Sequence, residues 1–306
     1  MASFWARVPS DYLTRAQQFT KTLHHELYPA VDPSKPELSL PGKVVIITGA
    51  SRGIGADGFA VSFAQAGVKG LVLVARDADK LNETVSKVHA TNPAVEVLPV
   101  VADVADENAV ALVYAQCEAK FGHADILINN AGIVKANGAL PGDVKPADWW
   151  RNIEVNGKGT FLMMHALVNS LPTLDTPVTI INITSGAAWH SPVPMLSGYA
   201  ISKLVALQEA AYFAACYKNI TAFAVHPGLV RTDMTHDSMM HMDSQPPELV
   251  GGLAVWLSHP HALFLNGRVV ANTWDVDELM ARKEEILSGK KLTIGLFGTF
   301  GPEQFE

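Results

Sequence analysis

Val44-Val45-Ile46-Ile47-Thr48-Gly49-Ala50-Ser51-Arg52-Gly53-Ile54-Gly55 is the stretch of this 306-residue chain that decides its fold. Its first five residues are apolar or β-branched, the composition of a short strand buried on both faces. The glycines that follow open the next helix. Such a turn suits a phosphate: glycines let backbone N–H groups come close, and a helix N-terminus presents positive dipole. The spacing G-x-x-x-G-x-G differs from the commonest dinucleotide fingerprint.

Outward from this stretch the same unit repeats. Leu71–Val74 reads as a second strand, with Asp77 as N-cap of the helix after it. Val95–Val101, Ile126–Ile128, Val178–Ile183 and Thr221–Val225 read as four more, and Val269–Ala271 as a seventh. The alternation predicts an α/β fold, a Rossmann-type doubly wound parallel sheet of about seven strands with helices on both faces. Residues 1–41 stand apart as an N-terminal arm, with one amphipathic helix expected over Ser10–Leu27 and a proline-rich loop after it. Residues 42–306 read as a single dinucleotide-binding catalytic domain, with a C-terminal helical extension from about residue 273.

Composition narrows the function classes. With 48% hydrophobic and 17% charged residues the chain can bury a large core. A net charge of −7 gives no general attraction to nucleic acid or anionic membrane. No apolar run approaches the roughly 18 residues of a membrane span, and no signal peptide is evident. Cys117 and Cys216 read as two buried thiols, so a cytoplasmic location is expected. His236 and His241 are too weakly patterned for metal ligands, and no metal is expected.

Further motifs follow in order: Asp103 after the third strand, Asn129-Asn130-Ala131-Gly132 after the fourth, Tyr199-Ala200-Ile201-Ser202-Lys203 after the fifth, and Pro227-Gly228-Leu229-Val230-Arg231-Thr232 after the sixth. Together with Thr48–Gly55 they resemble the classical short-chain dehydrogenase/reductase family, over roughly Lys43 to Ala271. The resemblance implies a nicotinamide cofactor held by Gly49, Ser51, Arg52, Gly53, Ile54 and Gly55. Asp103 and Val104 would flank the adenine, and Asn130, Ala131 and Gly132 would line the cleft. Pro227, Gly228, Val230 and Thr232 would lie on the nicotinamide side. Ala75 stands where NAD-dependent members carry an acid, and Arg76 and Arg52 can reach a 2′-phosphate, so NADP(H) is the expected cofactor.

The same resemblance implies Asn156, Ser185, Tyr199 and Lys203 as the catalytic set. Tyr199 and Lys203 lie four apart on one helix face, and a nearby ammonium favours phenolate. Thr184 competes with Ser185, because the fourteen-residue gap from Ser185 to Tyr199 is one longer than the family's commonest spacing. Asn156 would hold a water behind Lys203. The expected reaction is reduction of a carbonyl of a small or medium apolar metabolite, by hydride transfer with Tyr199 as acid/base. The rival readings are a cofactor-binding regulatory or scaffold protein, and a lyase or isomerase on the same fold.

Met234–Met242 occupies the place of the family's substrate lid. The helices around Asn156–Leu171 and Ser197–Tyr217 are expected to pair two subunits in a homodimer or homotetramer. The C-terminal extension, ending in the apolar Leu292–Phe297, departs from the family and resembles that of some fungal members tied to secondary metabolism.

Overall fold

The computed structural model describes residues 8–135, 139–190, 195–296, 298 and 300–302. Arg7, residues 191–194 of the loop between Ser185 and Tyr199, and Phe297 therefore lie outside the described residues. Chain order runs through α1 (Tyr12–Ala16), β1 (Val44–Thr48), a helix α2 that begins π-wound over Ile54–Ala60 and continues through Val61–Gln65, and β2 (Gly70–Ala75). Next come α3 (Ala78–Thr91), β3 (Glu96–Val101), α4 (Glu107–Phe121) and β4 (Ile126–Asn129). A near-continuous helix spans Pro146–Asn152, π-wound Ile153–Lys158 and Gly159–Asn169 (α5). The chain finishes with β5 (Val178–Ile183), α6 (Ser197–Cys216), β6 (Ile220–His226), α7 (Pro247–Leu257), β7 (Val269–Ala271), α8 (Val276–Ala281) and α9 (Lys283–Ser288).

All seven strands are parallel, in the order β3-β2-β1-β4-β5-β6-β7. The order reverses between β1 and β4, and there the crevice opens at the carboxyl ends of the strands. Helices cover both faces because every strand residue alternates sides: Val45 and Ile47 join one buried cluster, Val44 and Ile46 the other. Capping follows the sequence, with Asp77 accepting from the Lys80 N–H at 3.1 Å and Asp106 from that of Asn108 at 2.9 Å.

Four expectations need correction. The third strand is not buried on both faces: it is an edge, and Val101 is 59% exposed. The arm is not one long helix, since α1 ends at Ala16. Beyond it the backbone donors go to a distant partner, the N–H groups of Lys21 and Thr22 bonding the Glu278 carboxylate at 2.6 and 2.8 Å. The extension breaks at Arg282 into two short helices rather than one. Cys117 is buried, but Cys216 is exposed, and both are free thiols.

The two appendages hold each other. Trp274 Nε1 donates to the Gln17 carbonyl at 2.8 Å, the Asp275 N–H to Thr20 Oγ1 at 3.1 Å, and the His24 N–H to the Thr273 carbonyl at 2.8 Å. Arg282 stacks on the Phe19 ring at 3.9 Å. The extension also covers the sheet edge, where the Val269 N–H of β7 bonds the Leu292 carbonyl at 2.9 Å.

On the outer side of α6, Ile201, Leu204 and Phe213 meet Phe161 of α5, with Tyr212 exposed beside them. Glu209 sits on this apolar face with Oε2 buried and unpartnered among the described residues, and burial raises its carboxyl from 4.5 to about 8. Below pH 4.5 the group is protonated folded or unfolded. Between 4.5 and about 8 only the folded form keeps the proton, so this group's contribution to stability is lost as pH rises through that window. Glu209→Gln is expected to melt near the wild type at pH 4.5 and about 2–4 °C or more above it at pH 8. Thermal denaturation at the two pH values checks this; a difference independent of pH would contradict it.

Candidate active site

The cleft is built around Thr48, the last residue of β1. Its Oγ1 donates to the Ile128 carbonyl at 3.3 Å and accepts the N–H groups of Asn130 and Ala131, each at 3.0 Å. Asn130 Nδ2 returns to the carbonyls of Thr48 and Gly49 at 3.0 and 3.2 Å. The glycine turn is thereby pinned against the Asn130–Gly132 segment.

Within the turn, Gly49 and Gly53 have φ of +65° and +54°, a region that disfavours side chains. A Cβ on Gly55 would stand 2.2 Å from the Gly49 carbonyl oxygen. The turn is therefore closed so tightly that only hydrogen fits at Gly55, with the start of α2 directly after it. This is a cradle suited to the phosphates of a dinucleotide.

Farther out, Asp103 accepts from Arg151 at 3.0 Å, from the Ala105 N–H at 3.0 Å, and pairs with Arg76 at 3.8 Å. Arg52 pairs with Asp233 at 3.1 Å. Both arginines are mostly exposed, so these pairs are weak and exchangeable. Val104, beside Asp103, is buried.

At the chemical end Ser185, Tyr199 and Lys203 face one cavity of about 560 Å³. Asn130, Gly132, Ile54, Pro227, Gly228, Val230 and Thr232 line it too. Ser185 stands beside the Tyr199 phenol and favours its ionised form. Thr184 donates from its buried hydroxyl to the Lys203 carbonyl at 2.8 Å, whereas Ser185 is the hydroxyl beside the phenol. Lys203 is buried; its Nζ donates to the Ile183 carbonyl at 2.7 Å and stands 6.0 Å from the centre of the Tyr199 ring.

The electrostatics differ from the sequence expectation. Burial raises the Tyr199 phenol, and the opposing influence is the neighbouring Ser185 hydroxyl rather than the Lys203 ammonium. Burial also lowers Lys203 from 10.5 to about 8. A cation that is itself costly to bury, and 6.0 Å from the ring, is a poor stabiliser of phenolate.

Asn156, in the π-wound turn of α5, exchanges bonds with the Ile133 backbone at 2.8 and 2.9 Å and donates to Ser202 at 2.9 Å. Its Oδ1 and Lys203 Nζ flank Gly132 from the same side. The asparagine thus ties the Gly132 segment to α6, the helix that carries Tyr199.

Sequence reasoning missed one wall entirely. Tyr12, Leu13 and Gln17 of the arm line the cavity, as do His190 and His226. Met234 and Met239 of the methionine segment line it as well, and that segment is tied to the arm by the Asp243 N–H donating to the Ser10 carbonyl at 2.9 Å. Nothing in the arm's sequence announces this, because its position depends on partners some 250 residues away in the chain, such as Glu278. None of the described tryptophans lines the cavity; Trp149 bonds Ser197 at 3.1 Å. Among the described residues no cluster could hold a metal ion and no helix is long and apolar enough to cross a membrane.

Residues 43–243 match the family model described as short chain dehydrogenase. A short chain dehydrogenase of Monascus purpureus is 40% identical over 285 residues, covering 89% of this chain and 94% of the relative. Among solved structures, levodione reductase superposes with a TM-score of 0.71 at 25% identity, over 76% of this chain and 97% of the other. A short chain dehydrogenase from Burkholderia cenocepacia in complex with NADP gives 0.68 at 26% identity, over 76% and 96%.

Proposed function

The chain belongs to the short-chain dehydrogenase family, and on that premise we propose that it is an NADP(H)-dependent ketoreductase with Tyr199 as its proton donor. The observation that carries this reading is that Ser185, Tyr199 and Lys203 meet on the wall of one apolar cavity beside the glycine turn.

In this reading Gly49, Ser51, Gly53, Ile54 and Gly55 hold the pyrophosphate, and Asp103 and Val104 flank the adenine. Asn130, Ala131, Gly132, Pro227, Gly228, Val230 and Thr232 hold the nicotinamide half. Arg52 and Arg76 release their surface carboxylates for the 2′-phosphate, which offers a doubly charged partner for bidentate contact. Ala75 leaves that corner without a repelling acid. The NADP complex of the Burkholderia relative supports the same choice.

When bound, the reduced nicotinamide supplies the hydride. The chain does the rest. Ser185 and Tyr199 donate to the substrate oxygen and stabilise the charge that develops there. Burial keeps the phenol protonated near neutral pH, which suits an acid that delivers its proton to an alkoxide. Lys203 orients the cofactor ribose and restores positive charge near the phenol once its own proton is held. Asn156 keeps Gly132 and α6 in register with each other. Reduction is the direction this protonation state favours.

The apolar face of Phe161, Ile201, Leu204 and Phe213 is proposed to pair two subunits. Sedimentation at micromolar concentration is expected to give at least a dimer; a monomer would contradict this. Arg76→Ala is expected to lower the ratio of kcat/KM for NADPH over NADH by about tenfold, and an unchanged ratio would remove Arg76 from the 2′-phosphate site. Tyr199→Phe keeps the ring but removes the donor, so kcat is expected to fall about 10²–10⁴-fold with NADPH binding retained. Normal turnover by a folded Tyr199→Phe protein would overturn the mechanism.

A further inference from the structure

Three uncharged polar side chains crowd the cavity beside the Ser185–Tyr199 pair. The amide of Gln17 lies against Gly186, where a Cβ would meet its Nε2 at 2.2 Å and its Oε1 at 2.6 Å. That amide makes no hydrogen bond to any described residue, and its Oε1 is buried. His190 Nε2 is likewise buried and unpartnered among the described residues. His226 Nδ1 accepts the Gly186 N–H at 3.3 Å, which places the ring proton on Nε2. All three side chains line the cavity.

Their protonation is fixed by burial. Desolvation, with His190 beside it, lowers His226 to about 3, and desolvation lowers His190. At neutral pH the cluster presents an acceptor from Gln17, a donor from His226 and a neutral imidazole from His190. Buried polar atoms without partners are costly and rarely left so. The arm meanwhile is held firmly, by Trp274 on the Gln17 carbonyl and by Thr20 on the Asp275 N–H. The unpaired amide therefore sits at a fixed place, next to the residue that follows Ser185.

We propose that Gln17, with His190 and His226, forms a neutral subsite that reads a hydroxyl group of the substrate close to the carbonyl being reduced. A hydroxyl both donates and accepts, so it can satisfy Gln17 Oε1 and His226 Nε2–H together. A simple ketone leaves these atoms unpaired, and a carboxylate would lose its hydration with no cation in the cluster to offset its charge. The substrate class is thus an uncharged, largely apolar hydroxyketone. The inference rests on the ketoreductase reading for the identity of the reacting carbonyl, but not for the binding of the hydroxyl.

The test compares benzylacetone, its α- and β-hydroxy derivatives, and the α-keto acid of the same carbon skeleton. Two quantities are measured: kcat/KM with NADPH, and the Kd of each compound for the protein–NADP⁺ complex by calorimetry. The wild type is expected to favour a hydroxyketone over benzylacetone by about tenfold or more in both, and to favour the acid least. Gln17→Leu and Gln17→Met, each checked for wild-type melting temperature, should bring that preference close to unity. Turnover with the same preference in wild type and variants would overturn the subsite and leave the ketoreductase reading standing. Hydroxyl-selective binding that disappears in the variants, without turnover by the wild type, would uphold the subsite and overturn the ketoreductase reading. A wild type that binds hydroxyketone no better than benzylacetone overturns the subsite.

Discussion

The reversal of strand order between β1 and β4 is the constraint from which the rest of this molecule follows. Once β2 and β3 lie to one side of β1 and β4 to β7 to the other, the connecting helices must leave on opposite faces. A crevice is then unavoidable at the carboxyl ends. Thr48 holds it at a fixed width, since one hydroxyl bonds Ile128, Asn130 and Ala131 across the two strands. The glycine turn, Asp103, Asn130 and Ser185 all follow the carboxyl ends of strands beside this junction.

The chemical end is a place where charge is expensive. Lys203 and His226 are lowered and Tyr199 is raised, each first by loss of solvent. A neutral site of this kind stabilises an alkoxide by aimed hydrogen bonds rather than by bulk positive charge. It also makes the tyrosine a good acid and a poor base, while the lysine keeps its proton less firmly than one in water. A cationic ring bound nearby would shift both balances.

The substrate wall is a joint product of the two chain ends. The arm bonds Thr273, Asp275 and Glu278, and the methionine segment bonds the arm. None of these three pieces would hold its shape alone: α1 has five residues and α8 six, below the length at which a helix is stable in isolation. Changes in any one piece are therefore transmitted to the cavity through the other two.

The sequence by itself determined the sheet, its parallel sense and the motifs at its strand ends, because those depend on local patterning. Runs such as Val44–Thr48 are apolar on both faces, and the glycines at their end admit the positive φ that a tight turn needs. The choice between Ser185 and Thr184 was legible only as an open one; the Thr184 bond to the Lys203 carbonyl is a tertiary contact that favours Ser185. The edge position of β3, the direction of the pKa shift at Tyr199 and the arm's place in the cavity were decided by tertiary structure alone. Exposure of Val101 depends on which strand has no outer neighbour, and desolvation depends on how many groups close around a phenol. The amphipathic pattern of the arm marks a face to bury but not what it covers, because what holds residues 12–17 at the cavity is a set of hydrogen bonds to residues near the opposite end of the chain.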